Sequence, residues 1–163
     1  MNKKVFVTES FEQTQRIGRE FAARLNLVQG STLTTKGACV IALYGELGSG
    51  KTTFVQGLAE GLGIKRRIIS PTFIIVRSYK ISIKYKVLSI KYFYHIDLYR
   101  IENGKDVESL GIEEIVKDPR NIVVVEWAGK LRNFLPRTRI DIRFFYENRS
   151  KRRIEVNPIG ETF

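Results

Sequence analysis

Residues Gly45-Glu46-Leu47-Gly48-Ser49-Gly50-Lys51-Thr52 satisfy the pattern G-x-x-x-x-G-K-[ST], and they follow the apolar run Ala38-Cys39-Val40-Ile41-Ala42-Leu43-Tyr44. Each fixed residue answers a need of a bound polyphosphate. Gly45, Gly48 and Gly50 permit backbone angles with φ above zero, so successive N–H groups can curl around phosphate oxygens. Lys51 sets a positive charge near the β and γ phosphates, and the Thr52 hydroxyl can join the coordination shell of Mg²⁺. A helix beginning at Lys51 aims its N-terminal dipole at the same anion. The chemistry within reach is therefore the binding of a nucleoside triphosphate with its magnesium ion.

Hydrolysis or phosphoryl transfer needs more: a second carboxylate near the metal, and a group that orients the attacking oxygen. Three segments compete for these roles: Ser70-Pro71-Thr72-Phe73, Tyr94-His95-Ile96-Asp97-Leu98-Tyr99-Arg100, and Val125-Glu126-Trp127. Glu126 ends an apolar strand, the place where an α/β fold gathers ligand groups, and it otherwise reads as a charge at a strand end. Asp97 either serves the site or pairs with Arg100 and caps a turn. Thr72 either serves the site or begins a strand after Pro71. His95 reads as a packing or hydrogen-bonding residue rather than a catalytic base, and Trp127 as a packed aromatic or a partner contact.

The elements that must position these groups follow from periodicity. Val5 to Thr8 reads as a short strand. Ser10-Phe11-Glu12-Gln13 resembles a capping box, and Phe11, Thr14, Ile17, Gly18, Phe21, Ala22 and Leu25 then recur at helical spacing. Asn26 to Gly37 reads as a loop. The strand, the glycine-rich loop and a helix from Lys51 to about Gly61 come next, with Gly63 as terminator. Ile81, Ile83, Tyr85 and Val87 alternate with Ser82, Lys84 and Lys86, as in a solvent-facing hairpin. Gly111 to Lys117 reads as a short helix and Ile122 to Trp127 as a buried strand. Arg139 to Tyr146 and Arg153 to Val156 supply two final β segments around the turn Glu147-Asn148-Arg149-Ser150. The expected fold is α/β, a P-loop architecture with a mixed, twisted central sheet flanked by helices, in one domain spanning 1–163.

Composition narrows the class. With 163 residues, 43% of them hydrophobic, there is material for one core. No run of roughly 18 apolar residues offers a membrane span, and the apolar stretch at the N-terminus is too short for a signal peptide. One Cys and one His make a conventional zinc site a poor fit. Cys39 reads as a buried apolar residue, and the expected location is the cytoplasm. Lys and Arg total 28 against 17 Asp and Glu, a formal charge of +11 that favours anionic partners such as nucleotide, RNA or an acidic protein surface. The lysines at 80, 84, 86 and 91 either steer such an encounter or form a solvated strand face that guards against edge pairing.

Taken in order, G-E-L-G-S-G-K-T-T (through Thr53), S-P-T-F, H-I-D-L-Y-R and V-E-W closely resemble the bacterial tRNA threonylcarbamoyladenosine biosynthesis ATPase family, called TsaE or YjeE. The resemblance runs from about Ser10 to the last β segment. It implies that Lys51 and Thr52 hold phosphates and metal, and that Glu126 takes the Walker B place on Mg²⁺. It implies that Asp97 orients or deprotonates the attacking water and that Thr72 acts as a switch threonine. It also implies that the nucleotide is flanked near Phe11 and near Ser150. The activity implied is Mg²⁺-dependent ATP hydrolysis serving formation of N6-threonylcarbamoyladenosine at position 37 of tRNAs. ATP turnover would reset a TsaD–TsaB type complex, and any tRNA contact would be indirect. Two departures stand out: a longer, lysine-rich stretch between Val76 and Tyr92, and Ala128-Gly129-Lys130 where the family often has a proline or an acidic residue. The rival readings are a P-loop small-molecule kinase, with Arg149, Lys151, Arg152 and Arg153 as a lid, and a non-enzymatic basic RNA-binding module.

Overall fold

The computed structural model describes residues 3–28, 37–69, 75–81, 90–102, 104–131 and 134–159. Seven strands, β1 (Lys4–Thr8), β2 (Cys39–Tyr44), β3 (Val76–Lys80), β4 (Tyr92–Asp97), β5 (Asn121–Glu126), β6 (Arg139–Tyr146) and β7 (Arg152–Ile159), form one sheet in the order β1-β7-β6-β2-β5-β4-β3. The central neighbours are parallel: β2 with β5 and β6, and β4 with β5. The outer pairs β1/β7, β6/β7 and β3/β4 are antiparallel. This is the mixed α/β sheet that the alternation of strands and helices calls for.

Side chains alternate across the sheet with period two, and β2 shows the consequence. Cys39, Ile41 and Leu43 enter the core under α1 (Phe11–Val28) and α2 (Lys51–Gly61). Val40 and Ala42 enter the opposite core, which takes Val107 from α3 (Gly104–Glu108) and Ile112 from α4 (Ile112–Lys117). Both faces of β2 and β5 are thus covered, and this is why their sequences are apolar almost throughout rather than alternating. Burial pushes the Cys39 thiol up to about 12, as expected for an acid that would ionise inside a core.

The two long helices approach each other through glycines. A Cβ on Gly57 of α2 would lie 2.0 Å from the Gln15 carbonyl oxygen of α1, and one on Gly18 would lie 2.4 Å from the Phe54 carbonyl oxygen. Backbone meets backbone here, and the start of α1 is held close to the glycine-rich loop. The capping box is present in a shifted form. Ser10 Oγ accepts from Gln13 N, while the Gln13 side chain accepts from Glu9 N instead of Ser10 N.

Several boundaries differ from the sequence reading. α1 continues past Leu25 to Val28, three residues into the stretch read as a loop. β5 ends at Glu126, and Trp127 turns into a left-handed conformation with φ 60° and ψ 38° that opens a 3₁₀ turn at Ala128–Lys130. β7 runs beyond Val156 through Pro158, where β1 no longer pairs with it, a position at which a missing N–H is tolerated. Thr72 and the hairpin positions 82–89 lie outside the described residues. Among the described residues no helix is long and apolar enough to cross a membrane.

Candidate nucleotide-binding site

The chain leaves β2 at Tyr44 and passes through Gly45 (φ 142°), Gly48 (φ 73°) and Gly50 (φ 98°) before α2 begins. Gly50 is the N-cap of α2 in a left-handed conformation that side chains rarely adopt. Ser49 N donates to Glu46 O at 3.2 Å and closes the loop. Lys51 is buried, and its ammonium donates to the carbonyl oxygens of Gly45 and Glu46, each at 2.8 Å. It also lies 4.3 Å from the centroid of the Trp127 ring. Burial lowers the Lys51 ammonium below the usual lysine range, while Glu126 and Asp97 pull it back up. The residue is a cation folded onto its own loop, within reach of the space an anion would fill.

Glu126 stands at the carboxyl end of β5, in register with Leu43 of β2 on one side and Asp97 of β4 on the other. Open α/β sheets gather their ligand groups at this edge, where connections diverge to either side of the sheet. Thr52 Oγ1 lies 3.0 Å from both carboxylate oxygens of Glu126 and donates to them. His95 Nε2 lies 2.8 Å from Glu126 Oε1. Asp97 is buried as well and accepts a hydrogen bond from Tyr99 N at 3.0 Å.

These groups line a cleft of about 420 Å³ bounded by Leu47, Gly48, Gly50, Lys51, Thr52, Thr53, Asp97, Tyr99, Glu126 and Trp127. Gly48, Gly50 and Thr53 also wall a second hollow of about 320 Å³ that contains Phe11 and Ser150. The two segments expected to flank a nucleotide, far apart in sequence, therefore meet beside the loop. Gly45 and Glu46 instead border a separate hollow with Tyr44 and Arg143, and Ser49 is buried beneath the loop. For Mg²⁺, a hard cation that takes oxygen ligands from one or two protein groups plus phosphates and water, Thr52 and Glu126 are a chemically fitting pair. Among the described residues no three His, Cys, Asp or Glu side chains converge to hold a metal by themselves.

The family model of Threonylcarbamoyl adenosine biosynthesis protein TsaE matches residues 8–154. The chain belongs to the TsaE family. Proteins named tRNA threonylcarbamoyladenosine biosynthesis protein TsaE are similar to it in Nostoc sp. and in Bacillus subtilis. The first is 36% identical over 150 residues, covering 88% of this chain and 84% of the relative. The second is 38% identical over 124 residues, covering 76% and 72%. The crystal structure of Bacillus subtilis YdiB matches with a TM-score of 0.70 and 28% identity, over 98% of this chain and 87% of that one.

Three residues of this TsaE site were not singled out for it in the sequence. Trp127 covers Lys51 only because the left-handed turn after β5 swings the indole back over the loop. Tyr99 reaches the cleft and contacts Trp127, ring centroids 5.3 Å apart. Arg152 donates to the Gly48 carbonyl oxygen from β7, through Nε at 3.3 Å and Nη2 at 3.2 Å, and its guanidinium lies 4.3 Å from the centroid of the Tyr146 ring. The basic run at 149–153 was visible as a run, but strand register decides which arginine faces the TsaE loop.

Proposed function

We propose that this TsaE-family chain is a Mg²⁺-dependent ATPase that serves threonylcarbamoyladenosine formation on tRNA by acting on a TsaD–TsaB type partner complex. The observation that carries the reading is the contact between Thr52 of the glycine-rich loop and Glu126 of the adjacent strand, 3.0 Å to each carboxylate oxygen. It joins the loop residue suited to magnesium with the carboxylate suited to it, beside a buried lysine. Thr52 and Glu126 would hold Mg²⁺, which when bound neutralises charge on the phosphate oxygens.

Each protein group has a distinct part. Lys51 exchanges its two carbonyl partners for phosphate oxygens, and the loop N–H groups and the start of α2 supply further positive field. Phe11 and Ser150 flank the nucleoside end of the ligand. Asp97 orients a water and accepts its proton as the water oxygen bonds to the γ phosphorus. The bond from that phosphorus to the bridging oxygen breaks, and ADP and phosphate leave. Thr72 would report on the γ-phosphate, and its loss on hydrolysis would release the segments that it ordered, a switch that a partner complex can read.

Phosphate release should be measured with the chain alone and then with the TsaD–TsaB type complex. The reading expects release without any acceptor molecule, altered by the complex. Release only when a small-molecule acceptor is added would identify a kinase instead. Salt-sensitive tRNA binding with no nucleotide turnover would identify an RNA-binding module.

A further inference from the structure

His95 is the single histidine of the chain, it is completely buried, and it contacts the carboxylate of Glu126. Alternation along β4 puts His95 and Asp97 on one face of the sheet. In the β4/β5 register Asp97 stands beside Glu126, and His95 stands beside Val124, two residues back along the strand. The imidazole therefore approaches the Glu126 carboxylate from inside the sheet, while Thr52 approaches it from the first turn of α2. Among the described residues these two side chains are the only donors to that carboxylate.

The two donors are not equivalent. Thr52 borders the cleft, and its oxygen is the one a cation would use. His95 is enclosed and does not border the cleft. Its Nδ1 is buried and has no hydrogen-bond partner among the described residues. An ionised carboxylate only accepts, so the hydrogen must reside on Nε2.

We propose that His95, donating from Nε2, is the positioning residue for Glu126, keeping the carboxylate oriented when Thr52 releases it to coordinate a cation. The proposal rests on the ATPase reading, in which Glu126 and Thr52 hold Mg²⁺. It explains why a histidine stands two residues before Asp97: one strand face supplies both the water-orienting carboxylate and the donor that fixes its neighbour. Groups that orient a metal ligand in this way commonly change metal affinity by about 10- to 100-fold when lost.

Two measurements test it. The first uses the untagged, ¹⁵N-labelled chain and a long-range proton–nitrogen correlation spectrum of imidazoles. With one histidine present the signals need no assignment. The expected pattern shows a hydrogen on Nε2, and a ring whose Nε2 is bare overturns the proposal. The second compares His95→Gln, whose amide nitrogen takes the place of Nε2, with His95→Asn, whose shorter amide stops near the place of Nδ1. Fluorescence of Trp127, the single tryptophan, reports the Mg²⁺ concentration for half-saturation in the presence of ATP. His95→Gln should stay within about threefold of the parent, whereas His95→Asn should need about tenfold more Mg²⁺ or higher. Nucleotide affinity without Mg²⁺ should be the same in all three. Equal Mg²⁺ requirements in parent and His95→Asn, or equal impairment in both variants, would reduce His95 to a space-filling residue. If His95→Asn does not fold, the tautomer and His95→Gln still decide. A parent with no Mg²⁺ response at all would defeat the underlying ATPase reading, whereas a wrong tautomer defeats this proposal alone.

Discussion

Gly57→Ala is the substitution that tests how the fold holds the site together. Its added Cβ would sit 2.0 Å from the Gln15 carbonyl oxygen, 2.7 Å from Gln15 C and 2.8 Å from Gln15 Cα, where side-chain carbons do not approach closer than about 3.0 Å. The obstacle is backbone, so no rotamer change can relieve it, and α1 must retreat by about 1 Å. Over-packing of this kind costs roughly 1–3 kcal/mol, with the upper end expected where the neighbour is rigid. Alanine returns about 1 kcal/mol through its better helix propensity. The net loss should be about 2 kcal/mol, a fall in thermal midpoint of roughly 4–8 °C for a chain of this length. Because Ser10, Phe11 and Thr14 at the start of α1 wall the second hollow, nucleotide affinity should weaken as well. Gly129→Ala is the control, since a Cβ there meets nothing within 4 Å. It should change stability by less than about 0.5 kcal/mol. Thermal unfolding of the two variants side by side, with and without ATP, is the assay. A Gly57→Ala midpoint equal to that of Gly129→Ala would refute the close helix contact and its role in shaping the cleft.

Glu126→Gln keeps size but removes the negative charge beside Thr52, so hydrolysis should fall much more than nucleotide affinity; equal losses in a titration and a rate assay would make Glu126 structural. Asp97→Asn should still bind ATP but lose about 10²–10⁴-fold in turnover, the usual contribution of a positioned proton acceptor, and a parental rate would reassign Asp97 to the β4–Tyr99 turn. The Cys39 thiol is raised from 9.0 to about 12, so the folded chain keeps it neutral at a pH where the unfolded chain ionises it. Stability should therefore be constant below about pH 8 and decline through the window from 9 towards 12. Between pH 8 and 10 the parent should lose about 1.4 kcal/mol more than Cys39→Ala, read from urea midpoints; parallel pH profiles would contradict the burial argument.

What was legible in the sequence divides along physical lines. The conformation of the glycine-rich loop could be read because its requirements are local: glycines at positive φ followed at once by a helix. The place of Glu126 could be read because a carboxylate closing a run of four buried valines and isoleucines must stand at the carboxyl edge of the sheet. The β2, β5 and β6 strands were legible from apolar runs, and α2 from the loop that precedes it. The residues that escaped depend on relations no local pattern encodes. Arg152 meets Gly48 across 104 positions of sequence, and only the β6–β7 register brings it there. Trp127 covers Lys51 because of one left-handed residue, a conformation that an aromatic side chain gives no cause to expect. His95 reads as a packing or hydrogen-bonding residue, but its partner follows from strand register alone. Nor does Asn26, a loop residue by its local pattern, reveal that the helix runs on to Val28.

The central claim is that the loop from Gly45 to Thr52 binds ATP for hydrolysis by this chain. Phosphate release from ATP and Mg²⁺, with no acceptor added, should be compared between the parent and Lys51→Ala. The backbone cradle survives in the variant, but the charge-assisted contact to the phosphates is gone. The account predicts steady release by the parent and none above background by Lys51→Ala. Equal release by the two proteins would remove the loop from the mechanism and contradict the account.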